Sequence, residues 1–148
     1  MAIRARAESS EGDEHQSAWS AYISTPAGRG FVLLALMSAC FMGAMSMQEN
    51  IVTNYFEDVL NLEGPQFGYI TAIREVPGFL MIFMSALAFK LSIQRLTALA
   101  LVLLTIGYFL FGVSNSFWTV APWVILSSMG YHTVLQTQYA LGLTLTRE

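Results

Sequence analysis

The chain has 148 residues, of which 55% are hydrophobic and 11% charged, with seven Lys plus Arg against ten Asp plus Glu and a net charge of −3. That charge fraction is less than half of the roughly 25% typical of soluble domains, and a mean hydropathy of +0.53 excludes a disordered chain. Cys40 has no second cysteine to pair with, which excludes a disulfide scaffold, and the acidic balance argues against a nucleic-acid binder, which needs a basic surface.

Residues 1–29 read as a tail. Ser9 to Glu14 is polar and acidic, so the sequence predicts disorder there. Trp19, Tyr22 and Ile23 share a helical face that suits a membrane surface. Met37-Ser38-Ala39-Cys40 resembles a lipoprotein cleavage box, but the long acidic tail before it and the apolar run after it favour an uncleaved segment.

Residues 30–148 read as a transmembrane region with predicted helices at 30–48, 65–90, 96–113 and 117–146. Gly30 to Met47 is uncharged and makes about 27 Å of helix, close to a bilayer core. The second span opens at Pro65, a residue suited to a first helical turn, and only Arg74 and Glu75 interrupt its apolar run. No Asp, Glu, Lys or Arg occurs from Leu96 to Thr146, too long a stretch for one span. The turn cluster Gly112, Ser114, Asn115 and Ser116 divides it into a third and a fourth span. The predicted fold class is therefore all-α, a polytopic membrane protein with four transmembrane helices.

Orientation follows from the basic residues. Of the seven, all but Arg74 fall on one side: Arg4, Arg6 and Arg29 before the first span, Lys90 and Arg95 at the turn between the second and third, Arg147 after the fourth. The loop from Gln48 to Gly64 carries acids and no base. The expectation is a multi-pass protein of the plasma (inner) membrane with a cytoplasmic N-terminus. Trp19 and Tyr22 would sit at the inner interface, and Tyr55, Phe56, Trp118 and Trp123 at the outer one.

No Gly-rich phosphate loop, zinc-ligand spacing or nucleophile elbow occurs, and the two histidines, His15 and His132, are far apart. The sequence predicts no enzyme, and no catalytic, cofactor or metal site.

The informative residues are the polar ones inside the spans, since an ionisable group at mid-helix costs about 2.5–3.5 kcal/mol on insertion scales. Arg74 and Glu75 lie about 13–15 Å beyond Pro65, near mid-membrane. Either they line a wet cavity, with Arg74 binding an anionic group and Glu75 pairing or carrying a proton, or they lock the second span to a neighbour. Being adjacent, they point about 100° apart and cannot both face one partner. Ser128, His132, Gln136 and Tyr139 share a face of the fourth span, which fits a cavity wall or interhelical hydrogen bonding. Ala39, Gly43, Ser46 and Asn50 form a small-residue stripe on the first span that suggests close packing, and Glu49 either marks the outer interface or reaches a cavity mouth. The third span, with only Thr97, Thr105 and Tyr108 as polar side chains, reads as peripheral.

This pattern resembles the major facilitator superfamily of secondary transporters, from about Gly30 to Glu148. In that family the N-terminus is cytoplasmic, helices 1 and 4 line the central cavity, helix 2 flanks it and helix 3 is peripheral. Gln66-Phe67-Gly68-Tyr69 is similar to the opening of helix 2 in many members. The signature between helices 2 and 3, roughly G-x-L-A-D-R-x-G-R-[KR], has a remnant in Ser85 to Arg95. Leu87, Ala88 and Lys90 fit and Arg95 lies one position beyond, while Phe89 replaces the gate-latching aspartate and Ser92 the glycine. The resemblance implies alternating-access transport of a small solute, with the bilayer as surroundings and protons as a candidate coupling ion. It also implies helices 5–12 as the remainder of the transporter, so the chain is expected to be an N-terminal fragment that does not transport alone. The alternative is a complete four-helix membrane protein. A small multidrug exporter of that size carries a mid-membrane glutamate in its first helix, which Gly30 to Met47 lacks. A non-transporting subunit would show a dry core with Arg74 and His132 paired to protein groups.

Overall fold

The structure, a computed structural model, describes residues 16–87 and 90–146, without side-chain detail for 82–87. These residues form five helices and no strand. They are α1 (residues 16–24), α2 (Pro26–Asn54), α3 (Gly64–Leu87), α4 (Ile93–Phe111) and α5 (Phe117–Leu145), with a π-helical turn, Tyr55–Val59, continuing α2. The four predicted spans correspond to α2 to α5.

The helix ends follow local chemistry rather than the charge limits used to bound the spans. α2 starts at Pro26, before the expected residue 30, because Thr25 caps it by accepting from Gly28 N at 3.0 Å and proline suits the first turn. Residues 16–24 of the tail are helical, in keeping with the helical face read from Trp19, Tyr22 and Ile23; residues 1–15, with the disorder predicted at Ser9 to Glu14, lie outside the described residues. Trp19 and Tyr22 pack edge to face, with ring centroids 6.2 Å apart, and both remain exposed. Gly28 lies against the Tyr22 carbonyl, where no side chain would fit, so α1 and α2 meet at a tight corner.

α2 also runs past the expected loop at 48–64. Neither Gly nor Pro occurs between Gln48 and Glu63, so nothing stops the helix at its polar residues. The π turn swings Phe56, Leu60 and Leu62 inward, where they join Ile70, Phe111, Phe117, Val120 and Val124 in one apolar cluster. Phe56, expected beside Tyr55 at the outer interface, is 4% exposed and packs on Phe67 and Phe111 with centroids at 5.9 and 6.0 Å. The Tyr55 hydroxyl donates to the Phe111 carbonyl at 2.6 Å and approaches that of Ser114 at 3.2 Å, which ties this turn to the α4–α5 connection. Asn61 takes the left-handed conformation, φ 50°, that lets the chain reverse into α3.

α5 is the hub, packing against α4, α3 and α2. Its closest neighbour is α4, and glycine sets that approach. A Cβ on Gly130 would lie 2.6 Å from Leu104 N, and one on Gly107 would lie 2.7 Å from Ser127 N. The turn cluster between them behaves as expected: α4 ends at Phe111, and Thr119 Oγ1 accepts from the Asn115 and Ser116 amides at 3.1 and 3.0 Å. At the other end of α4, Ser92 accepts from Arg95 N at 3.4 Å, so the residue standing in the signature's glycine position is a helix cap. Lys90 and Arg95 are exposed there, while Leu87 closes α3 and its side chain is outside the described residues, as is Phe89.

The small-residue stripe of α2 does not pack. Ala39, Gly43, Ser46 and Asn50 are all exposed, and nothing lies within 4 Å of a Cβ built on Gly43. α2 instead meets α5 through its opposite face, where Phe41 stacks on Tyr131 at 5.8 Å and Ser38 donates to Gln138 at 3.4 Å. Close packing by small residues is found at α4–α5 because there the facing residues are backbone and serine.

Among the described residues, two helical segments are long and apolar enough to cross a bilayer: Pro26–Val59 with mean hydropathy 1.9, and Ile93–Phe111 with 1.7. Large apolar side chains stay uncovered on every long helix, among them Leu33 at 67%, Phe79 at 80%, Phe109 at 76% and Trp118 at 81% exposure. A surface of this kind is unfavourable in water and favourable in lipid. Both observations point to a membrane location.

Candidate functional site

The mid-helix charges converge. α3 packs on α5, and the 100° between neighbouring residues lets Arg74 reach Glu49 of α2 and Glu75 reach toward His132 of α5. Arg74 Nη2 lies 3.5 Å from Glu49 Oε1, and Arg74 Nε lies 3.5 Å from Glu75 Oε1. Glu75 Oε2 lies 3.8 Å from His132 Nε2. Glu49, Arg74, Glu75 and His132 therefore form one continuous chain of charged and titratable groups across three helices.

Two devices hold it. Ser128 Oγ donates to the Arg74 carbonyl, fixing α3 on α5 at that level. Pro77, fully buried, has no amide to give the Ile73 carbonyl, so the helix loses a ladder bond next to the charges. The His132 ring sits on Gly78: a Cβ there would lie 2.9 Å from its Cε1. His132 Nε2 is buried and has no hydrogen-bond partner among the described residues, with the Glu75 carboxylate 3.8 Å away.

A cavity of about 300 Å³ opens beside this chain of charges. Its polar lining comes from Gln48, Glu49 and Thr53 of α2, Thr71 and Arg74 of α3, and Ser127 of α5. Its apolar lining includes Phe56, Phe67, Tyr108 and Phe111. The side chains of Arg74, Glu49 and Glu75 are 38%, 63% and 49% exposed, so the charges are not sealed within the bundle. The cavity occupies the half of the bundle where α2 and α4 end and α3 and α5 begin. Beyond it, toward the middle of α2, α4 and α5, lies a second apolar cluster, Phe41, Met45, Ala100, Leu104 and Val134.

Of the residues singled out from sequence, Glu49 and Arg74 line the cavity, and Glu75 and His132 join it through Arg74. Gln136 does not: it is exposed one turn beyond His132 and lines no part of it. The face shared with Ser128 and Tyr139 divides: Ser128 meets Arg74 of α3, whereas Tyr139 is 71% exposed. Gln138, on the neighbouring line, takes the interhelical hydrogen bond instead. α4 was expected to contribute nothing, yet Tyr108 and Phe111 line the cavity, and the Tyr108 hydroxyl reaches Met45 Sδ at 3.8 Å. The available signal was a lone tyrosine one turn before Phe111 in the otherwise apolar last turns of the helix. Ser127 and Thr53 were also missed, since neither stands out among neighbouring hydroxyls.

No family model, curated protein or solved structure matches the chain.

Proposed function

We propose that the chain is the N-terminal helical part of a secondary transporter that moves a small solute by alternating access, as its resemblance to the major facilitator superfamily implies. In this reading α2 to α5 all cross a plasma (inner) membrane from a cytoplasmic N-terminus, and the cavity is part of the substrate path. The carrying observation is the half-exposed Glu49–Arg74–Glu75 array beside a polar cavity at mid-helix depth. Ionisable groups are expensive in a bilayer and mark pathways when water reaches them. The exposed face of α2 around Gly43 and Ser46 is where further helices of the transporter would pack. One observation favours a non-transporting subunit: Arg74 already has two carboxylate partners. Glu49, 63% exposed and lining the cavity, nonetheless remains open to a further partner.

Cysteine accessibility tests the reading. In a Cys40→Ser background, Thr53→Cys and Thr71→Cys should react with a charged thiol reagent applied from one side of the membrane only. Asn61→Cys should react from that same side, and Ser92→Cys from the other. Protection of positions 53 and 71 from both sides would sink the pathway, and labelling of 61 and 92 from one side would sink the topology.

A further inference from the structure

We infer that the cavity binds a small organic cation, an ammonium group carried on an apolar body. The inference deepens the transport reading and rests on it for its biological purpose, but the binding it predicts is measurable by itself. The sequence alone suggested the opposite polarity, with Arg74 as an anion site.

The charge count decides against an anion. Arg74 presents Nη2 to Glu49 and Nε to Glu75, so the guanidinium is engaged on two sides before any ligand arrives. Around it stand two carboxylates, Glu49 and Glu75, while His132 lies beyond Glu75 and outside the cavity lining. Glu49, Arg74 and Glu75 together therefore carry two acidic groups against one guanidinium. An uncompensated carboxylate attracts a counter-charge, and the apolar part of the cavity wall strengthens that attraction relative to bulk water. Glu49 is the member placed to receive it, because it lines the cavity, is 63% exposed and meets Arg74 through Oε1.

The remaining lining suits the same ligand. Phe56, Phe67, Tyr108 and Phe111 place aromatic rings around the space, and the negative faces of such rings attract ammonium groups. Gln48, Thr53 and Ser127 add oxygen atoms that can accept from an N–H or O–H. A volume of about 300 Å³ admits a small amine or quaternary ammonium. Other groups near the cavity are Tyr131 on α5 and Met45 on α2, which line its narrow extension and bring no positive charge.

Three probes of the same shape and different charge test this on the full chain in maltoside micelles by calorimetric titration. They are choline, its neutral isostere 3,3-dimethylbutan-1-ol, and the anion 3,3-dimethylbutanoate. Choline should bind at least about tenfold more tightly than the neutral isostere, and the anion should not bind. Glu49→Gln should bring choline to the level of the isostere while circular dichroism shows the helices retained. Equal affinity of choline and the isostere, preference for the anion, absence of saturable choline binding, or indifference to Glu49→Gln would each overturn the inference. The three-probe comparison uses the native sequence, so it decides the matter even where the variant does not fold. Failure here with one-sided labelling at positions 53 and 71 removes the cation and leaves the pathway; failure of both removes the pathway too.

Discussion

Gly130→Ala is the sharpest probe of how the helices are held. The added methyl carbon would lie 2.5 Å from the Ala100 carbonyl oxygen, 2.6 Å from Leu104 N and 2.9 Å from Leu104 Cα. All are backbone atoms of α4, so no side-chain rotation relieves the clash. Ordinary contacts of this kind sit at about 3.5–4.0 Å, so the two helices must separate by roughly 1 Å. A gap of that size forfeits about a quarter to a half of each dispersion contact along the seam, which includes Leu104 and Val134. Overpacking of this type costs about 1–3 kcal/mol. The expected loss is at the upper end, because contact packing rather than the hydrophobic effect holds helices together in lipid. Reversible unfolding in mixed micelles, followed by circular dichroism, measures it. Gly43→Ala is the control: nothing lies within 4 Å of its Cβ, and alanine in a helix interior is favoured over glycine by about 0.5–1 kcal/mol. If the two variants differ by less than about 0.5 kcal/mol, the close approach of α4 and α5 is not what the geometry indicates.

Other outcomes follow from single contacts. Tyr55→Phe removes the hydroxyl that bonds the Phe111 and Ser114 carbonyls, and should cost about 1–2 kcal/mol in the same unfolding assay. Asn61→Val forces a β-branched residue to φ 50° and should cost about 1–3 kcal/mol, while Asn61→Gly should be near neutral. A double-mutant cycle on Glu49→Gln and Arg74→Gln should give a coupling of about 0.2–1 kcal/mol, since both partners are more than a third exposed. A coupling well above that range would mean the pair is sealed from water and structural.

The approximate positions of α2 to α5 could be read from apolar runs and turn residues, because those are local properties. Their ends were less readable. Thr25 capping and the absence of any breaker after Gln48 extend α2 at both ends, whereas charges such as Arg29 and Glu49 do not end a helix. The candidate site divides in the same way. Arg74, Glu75 and His132 announced themselves as ionisable groups in apolar surroundings. That Arg74 and Glu75 must face different partners followed from helix geometry.

What the sequence by itself determined is that the chain is helical, short of charge and polar at a few mid-helix positions, because spacing and composition are visible in one dimension. Which of those positions meet was decided by the packing of the helices. Glu49 came to Arg74 because α2 continues past its expected end, while Gln136 stayed exposed and outside the cavity lining. Tyr108 entered the cavity because glycines at 107 and 130 draw α4 against α5. The surroundings of Arg74 were decided there as well. Glu75 stands beside it in the sequence, and only the fold brings Glu49 to its other side.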